Sequence, residues 1–208
     1  MLLYFVRHGK TTWNAEGRFQ GASGDSPLLE TSYNDIAQLG QRLAHVHFDK
    51  IFSSDLKRAN DTAQLILKYH QNPNQNIIPT KALREWDLGK LEGQKIRLIS
   101  DIYPSQMHAF HHNLALFKAQ MFEAESVFQA TNRLRQLLQE QAINQGDNLL
   151  FVGHGAHLTA SIRSLLGYEP ALLRAEGGLD NTSLTILETD DFKQYQLRVW
   201  NDTSHIEA

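Results

Sequence analysis

The sequence predicts an α/β fold, a three-layer α/β/α sandwich about a mostly parallel central sheet with one antiparallel edge strand. Three observations carry that prediction. Short apolar, β-prone runs alternate with stretches whose apolar residues recur at helical spacing, the pattern of βαβ units. Two of the runs, Leu2-Leu3-Tyr4-Phe5-Val6 and Leu149-Leu150-Phe151-Val152, lead into a histidine beside glycine, as strands do when they deliver polar groups to one rim. The last two runs, Thr182 to Leu187 and Tyr195 to Trp200, are separated by the turn-like Asp190-Asp191 and read as an antiparallel pair at one edge.

In chain order, the first strand stops at Arg7-His8-Gly9, and Thr12 to Pro27, rich in Gly, Ser, Asn and Asp, is a loop. Ile36, Leu39, Leu43 and Val46 mark an amphipathic helix with Gly40 inside it. Lys50 to Ser54 is a second strand ending in two hydroxyls. From Asp55 the helical spacing returns through Leu56, Ala59, Ala63, Ile66 and Leu67. A turn from Asn72 to Asn76 precedes the brief strand Ile77-Ile78-Pro79, and the stretch from Leu83 to Gly93 is irregular. Met107, Phe110, Leu114, Phe117 and Met121 predict one helix burying one face. Val127, Leu134, Leu137, Leu138 and Ala142 predict the next, closed by Gly146, and a last helix runs through Leu158, Ile162 and Leu165 to Gly167.

The 208 residues suffice for a single domain with a substantial core, and no repeat, linker or low-complexity tract divides them, so residues 1–208 are expected to form one domain. A net charge of −3 argues against a general nucleic-acid binder; an anionic ligand has to be met by locally concentrated arginines. The absence of cysteine excludes disulfides, thiolate metal sites and a cysteine nucleophile. The first apolar run is too short for a signal peptide or a membrane span, so no membrane association is expected and a cytoplasmic location is.

If the first strand and the Leu149-to-Val152 strand are parallel neighbours, His8 and His154 stand side by side at one rim. Arg58, one turn into the helix after Ser53-Ser54, leans over the same rim near helix N-terminal amides. Two arginines and two histidines around one point suit a dianionic phosphoryl group, since each guanidinium offers a bidentate fork. Gly9 allows the backbone to approach a ligand closely.

Arg7-His8-Gly9 with Thr11 and Asn14, the segment Ser53-Ser54-Asp55-Leu56-Lys57-Arg58-Ala59 with Thr62-Ala63, the block Leu83-Arg84-Glu85 to Gly89-Leu91-Glu92-Gly93, and Gly153-His154-Gly155 together resemble the histidine phosphatase superfamily, in its phosphoglycerate-mutase-like branch. The blocks follow the family's order over most of the chain. The resemblance implies a phosphomonoesterase of the histidine acid phosphatase type, acting on small phosphorylated substrates through a phosphohistidine. In that scheme His8 is the nucleophile. Arg7, Arg58 and His154 hold the phosphoryl oxygens, with Asn14 and backbone amides around Gln20, Gly21 and Gly155 assisting. Fixed cations do the neutralising, so no metal and no cofactor is expected.

The proton for the leaving alkoxide is assigned to Glu85, because a carboxyl group beside a bound dianion and partly desolvated has its proton affinity raised. Some family members place an aspartate directly after the second histidine; Gly155 stands there, and Asp87 and Glu92 are the alternative acids. The resemblance also implies a helical lid insertion over the site, at about residues 93–125. His108 and His112 lie one turn apart there, but two imidazoles without a placed carboxylate or thiolate make an incomplete metal site, and no role is assigned to His108, His111 or His112.

A cofactor-dependent phosphoglycerate mutase is the rival reaction. Mutases of the family carry two adjacent arginines in the insertion to read the substrate carboxylate, whereas between Gly93 and Glu125 this chain has only Lys95, Arg97 and Lys118. The family's Gly-Glu-Ser is altered to Ala124-Glu125-Ser126. Both departures favour hydrolysis. A catalytically idle phosphate-binding module, the third reading, would lack His8, Glu85 or the arginines. The sequence leaves open the substrate and the choice between monomer and homodimer.

Overall fold

The computed structural model of the protein describes residues 1–141 and 147–206. Six strands are seen there: β1 (Leu2–Arg7), β2 (Lys50–Ser54), β3 (Ile77–Thr80), β4 (Asn148–Gly153), β5 (Leu184–Glu188) and β6 (Gln196–Asp202). They form one sheet in the order β3-β2-β4-β1-β5-β6. The helices are α1 (Thr12–Ala15), α2 (Glu30–Arg42), α3 (Lys57–Lys68), α4 (Ile96–Ile102), α5 (Pro104–His112), α6 (Val127–Gln139) and α7 (Gly155–Leu165). None is long and apolar enough to cross a membrane.

β3, β2, β4 and β1 are parallel, and β5 runs against β1. β6 pairs antiparallel with β5 and so points the same way as β1. The reversed strand is therefore next to the edge and not the edge strand itself, because consecutive strands joined by a short connection must alternate in direction. Side chains alternate along each strand, so β1 sends Leu3 and Phe5 to one face and Tyr4 and Val6 to the other. The first pair packs with Phe151, with Leu134 and Leu138 of α6, and with Leu158 and Ile162 of α7. The second packs with Leu150, with Ile36 and Leu39 of α2, and with Ala63 and Ile66 of α3. A helix layer on each face completes the three-layer sandwich.

A third core lies beyond the strand tips, where Trp86, Met107, Phe110, Leu114, Phe117 and Phe122 pack under the segment from α4 onward. Here the expected single helix is broken. α5 ends at His112 because Asn113 takes φ −153°, ψ 82°, outside the helical region, and the chain continues as two 3₁₀ turns, Leu114–Leu116 and Ala119–Phe122. Such turns repeat every three residues, so the apolar stripe persists without the helix. Met121, at its end, is 50% exposed.

Smaller departures have local causes. α1 falls inside the expected loop from Thr12 to Pro27, nucleated by Thr11, whose side chain accepts from the Asn14 N–H. α2 closes at Leu43, so Val46 lies past it. α4, carried by Ile96, Ile99 and Ile102, was not anticipated. Ala142 and Gly146 lie outside the described residues.

Candidate active site

The β1–β4 register opposes Arg7 to Gly153, which sets the next residues, His8 and His154, side by side. Their ring centroids are 5.1 Å apart at 61°. His8 N–H donates to Gly153 O at 2.9 Å, fixing the backbone at the point where the strand ends. Both rings are buried, His8 at 3% exposure and His154 at none. The His8 Nδ1 lies 2.7 Å from Gly9 O, so Nδ1 carries the hydrogen and Nε2 keeps its lone pair. Burial, then the charges of Arg58 and Arg7, hold the His8 pKa well below the usual imidazole value, and the ring is neutral.

Arg58, near the start of α3, donates from Nε to His154 Nδ1 at 3.1 Å, which places the His154 hydrogen on Nε2, 2.8 Å from Ser54 Oγ at the end of β2. The rest of its fork is held too. Nη1 donates to Gly24 O and Asp25 Oδ1 at 2.8 and 3.0 Å, and Nη2 to Gly21 O at 3.1 Å. Burial, then the Arg58 and His8 charges, keep His154 well below the ordinary imidazole range.

A cavity of about 150 Å³ opens beside His8, and Arg7, Asn14, Gln20, Glu85 and Gly155 line it with the histidine. Arg58 and His154 do not line it; they sit one layer deeper. Arg7 donates from Nη1 to Leu179 O, while its Nε is buried without an acceptor. A Cβ on Gly155 would lie 2.9 Å from that Nε and 3.0 Å from Cζ, so glycine after the second histidine leaves room for the arginine over the start of α7. Gly9 serves packing instead of ligand approach: a Cβ there would meet Ile36 Cδ1 at 2.8 Å, and its N–H donates to Thr62 Oγ1.

Glu85 is 7% exposed and sits at the N-terminus of α7. Its Oε1 accepts from Trp86 N and His157 N at 2.8 and 2.7 Å, its Oε2 from Ala156 N at 3.0 Å. Arg84 does not claim it, being paired with Asp55 through two bonds of 2.7 and 2.8 Å. The Glu85 segment is held from behind by Arg133, which pairs with Glu125 and donates to the carbonyls of Arg84 and Glu85. Glu125 and Ser126, the N-cap of α6, thus have structural partners.

The alternative acids are elsewhere. Glu92 accepts from Ser23 N and Gly24 N, tying down the loop that grips Arg58, and Asp87 is exposed and accepts from Gly89 N. Asn14 Oδ1 caps α1, and the Gln20 amide bridges Thr11 and Ser26. Gly21 contributes its carbonyl to Arg58, where an amide donor was expected.

Among the lid histidines, His111 lines the cavity and is lowered to about 4, chiefly by burial and then by Arg174. His108 and His112 are exposed, their ring centroids 5.0 Å apart and their planes tilted by 39°. The cavity also contains three residues that motif reading misses, Arg18, Phe110 and Arg174. Asn181, outside the cavity lining, holds the strand tip: its Nδ2 donates to His8 O at 3.0 Å, and Thr182, in the left-handed region at φ 61°, donates its N–H to Arg7 O. Phe110 belongs to the apolar stripe from Met107 to Met121, but Arg18, Arg174 and Asn181 lie in no repeated spacing. The one signal is Arg174 standing alone in the polar, glycine-rich stretch after α7.

A neutral buried imidazole with a free lone pair, ringed by guanidinium groups and backed by a second imidazole, defines a site for handling phosphoryl groups. A family model for the histidine phosphatase superfamily (branch 1) matches residues 3–203, and the chain belongs to that family. A relative from Salmonella paratyphi A named probable phosphoglycerate mutase GpmB is 31% identical, with 99% of this chain and 95% of the relative covered. YhfR of Bacillus stearothermophilus superposes with a TM-score of 0.85 at 30% identity, covering 99% of both chains. A mycobacterial glucosyl-3-phosphoglycerate phosphatase superposes at 0.83 and 28% identity, covering 96% of this chain and 98% of that one.

Proposed function

We propose that the protein is a phosphatase that hydrolyses small phosphomonoesters through a phosphohistidine on His8. The observation that carries this is the His8 ring: Nδ1 is locked to Gly9 O, Nε2 is free, and the pKa is held down by burial and by two arginines. Nε2 attacks phosphorus and the ester P–O bond breaks. Arg7 meets the oxyanion in the cavity, while Arg58 supplies positive charge from the next layer and the neutral His154 supplies orientation. Asn14, Gln20 and Gly155 contribute polar lining. Glu85 gives the leaving oxygen its proton from Oε2, which has one amide partner against two for Oε1. Water then attacks the phosphohistidine, Glu85 takes the proton, and phosphate leaves.

The mutase reading has the name of the Salmonella relative in its favour. Against it, Lys95, Arg97 and Lys118 are all exposed and none lines the cavity. Hydrolysis of p-nitrophenyl phosphate in the presence of a chelator tests the proposal. His8→Ala is expected to lower kcat/KM by about 10⁴-fold or more and to abolish an acid-labile phosphoenzyme. Activity surviving that substitution refutes the nucleophile; bisphosphoglycerate-dependent interconversion of phosphoglycerates with negligible hydrolysis makes the protein a mutase.

A further inference from the structure

A second groove, of about 790 Å³, lies against the cover, and none of its lining residues belongs to the catalytic cavity. Its buried members include Leu114, Phe117 and Ala119, its exposed ones Met121, Phe128 and Pro170. Phe128, at the second position of α6, is 73% exposed, although Ala130, Leu134 and Leu138 of the same helix are buried. A phenyl ring standing in water adds nothing to the fold that a polar side chain would not. Leu116 and Leu172 are also more than half exposed, on the 3₁₀ turns Leu114–Leu116 and Pro170–Leu172, which pack on each other. With Met121 and Phe128 they present roughly 500 Å² of apolar surface, as much as a lone monomer usually shows and a large part of the 800 Å² or so per partner that a stable interface buries.

We propose that this face is the seam of a two-fold homodimer, with Phe128 of each copy seated in the groove of the other. A two-fold contact requires one patch to carry both halves of every interaction. This patch does. The projecting ring stands beside the hole that would take it. Lys118 in the groove lining and Glu169 beside Pro170 are exposed and of opposite sign, so that each can meet the other across the axis. Among the described residues neither enters an ion pair; the neighbouring Glu123 and Glu125 go to Lys90 and Arg133 instead. A lipid surface fits worse, because Lys118 is the one cation in the lining and membrane-seeking faces are ringed by Lys and Arg. Pairing there clamps the cover while leaving the catalytic cavity its own lining, since Leu114, Phe117 and Phe122 share a core with Phe110.

Analytical ultracentrifugation of the full chain from about 1 to 100 μM tests this. The wild-type protein is expected to sediment at twice the chain mass at the upper end. Phe128→Glu, which sets a charge at the centre of the seam, is expected to weaken the dimer by about 100-fold or more. Lys118→Glu is expected to weaken it by about tenfold, and Lys118→Glu combined with Glu169→Lys to restore it. Thermal melts check that each variant folds. A wild-type protein that stays a monomer at the upper concentration overturns the proposal, whether or not it binds vesicles of anionic lipid. So does a charge swap that restores nothing, or a dimer that Phe128→Glu leaves intact; Leu197→Glu, on β6, then asks whether the seam runs along the sheet edge.

Discussion

The tips of β1 and β4 and the cover that closes over them are built on opposite plans. At the strand tips most polar groups are pinned, His8 Nδ1 by Gly9 O, His154 by Arg58 and Ser54, and Arg58 by Gly21, Gly24 and Asp25, while the Arg7 Nε is buried without an acceptor. In the cover, short helices and 3₁₀ turns hold aromatic rings, and His108 and His112 stand exposed. Hydrogen bonds that fix a group in advance suit chemistry, in which the same phosphoryl geometry recurs whatever the ester. Apolar and aromatic walls set which ester fits beside that geometry. The difference separates the residues that set rate from those that set choice.

The largest expected effect comes from the residue that joins the two regions. Glu85→Gln keeps the shape but removes the proton, and kcat/KM for an alkyl phosphate is expected to fall by about 10³-fold. For p-nitrophenyl phosphate, whose phenolate leaves without a proton, the loss should be much smaller. Equal losses on both esters would make Glu85 a cap of α7 and nothing more; because its new amide would face Ala156 N–H, a thermal melt accompanies the assay.

Arg58→Lys comes next. A lysine cannot donate to His154 and three further acceptors at once, so about a 10²-fold loss in kcat/KM is expected for every ester alike. Tolerance of lysine at 58 would mean that positive charge alone, and not the fork that reaches four acceptors, is what this position supplies.

The strand tips were legible in the sequence and the cover was not, for a physical reason. A buried parallel strand must be an apolar run, and a polar triplet at its end can only face the rim, so Arg7-His8-Gly9 and Gly153-His154-Gly155 announced both their element and their place. Glu85 was found through the family resemblance of its block, and Arg58 through its place one turn into the helix after Ser53-Ser54. In the cover, the stripe from Met107 to Met121 satisfied a helical period that 3₁₀ turns also satisfy, and Asn113 was the only sign of the break. Arg174 and Asn181 reach the site through loop paths that no spacing encodes. Gly9 was read as ligand approach, yet its constraint comes from Ile36, a contact made only when α2 docks.

Acid should lower stability by a smaller but measurable margin, because both regions bury neutral histidines, His157 on α7 and His111 in the cover. His157 on α7 is unexposed, and burial, with the Arg133 charge adding to it, holds its pKa well below the ordinary value. Since the shift is downward, the unfolded chain takes up the proton first as pH falls. The stability is intact above about pH 6.5 and is lost progressively below it, down to the folded-state pKa. One such group accounts for about 1 kcal/mol of lost unfolding free energy between pH 6 and pH 5. His157→Gln removes that proton from the balance, so urea unfolding should show a pH slope shallower by this amount, whatever the variant's stability at pH 7. A slope that His157→Gln does not alter would mean that the buried imidazole is protonated as readily in the folded chain as in the unfolded one.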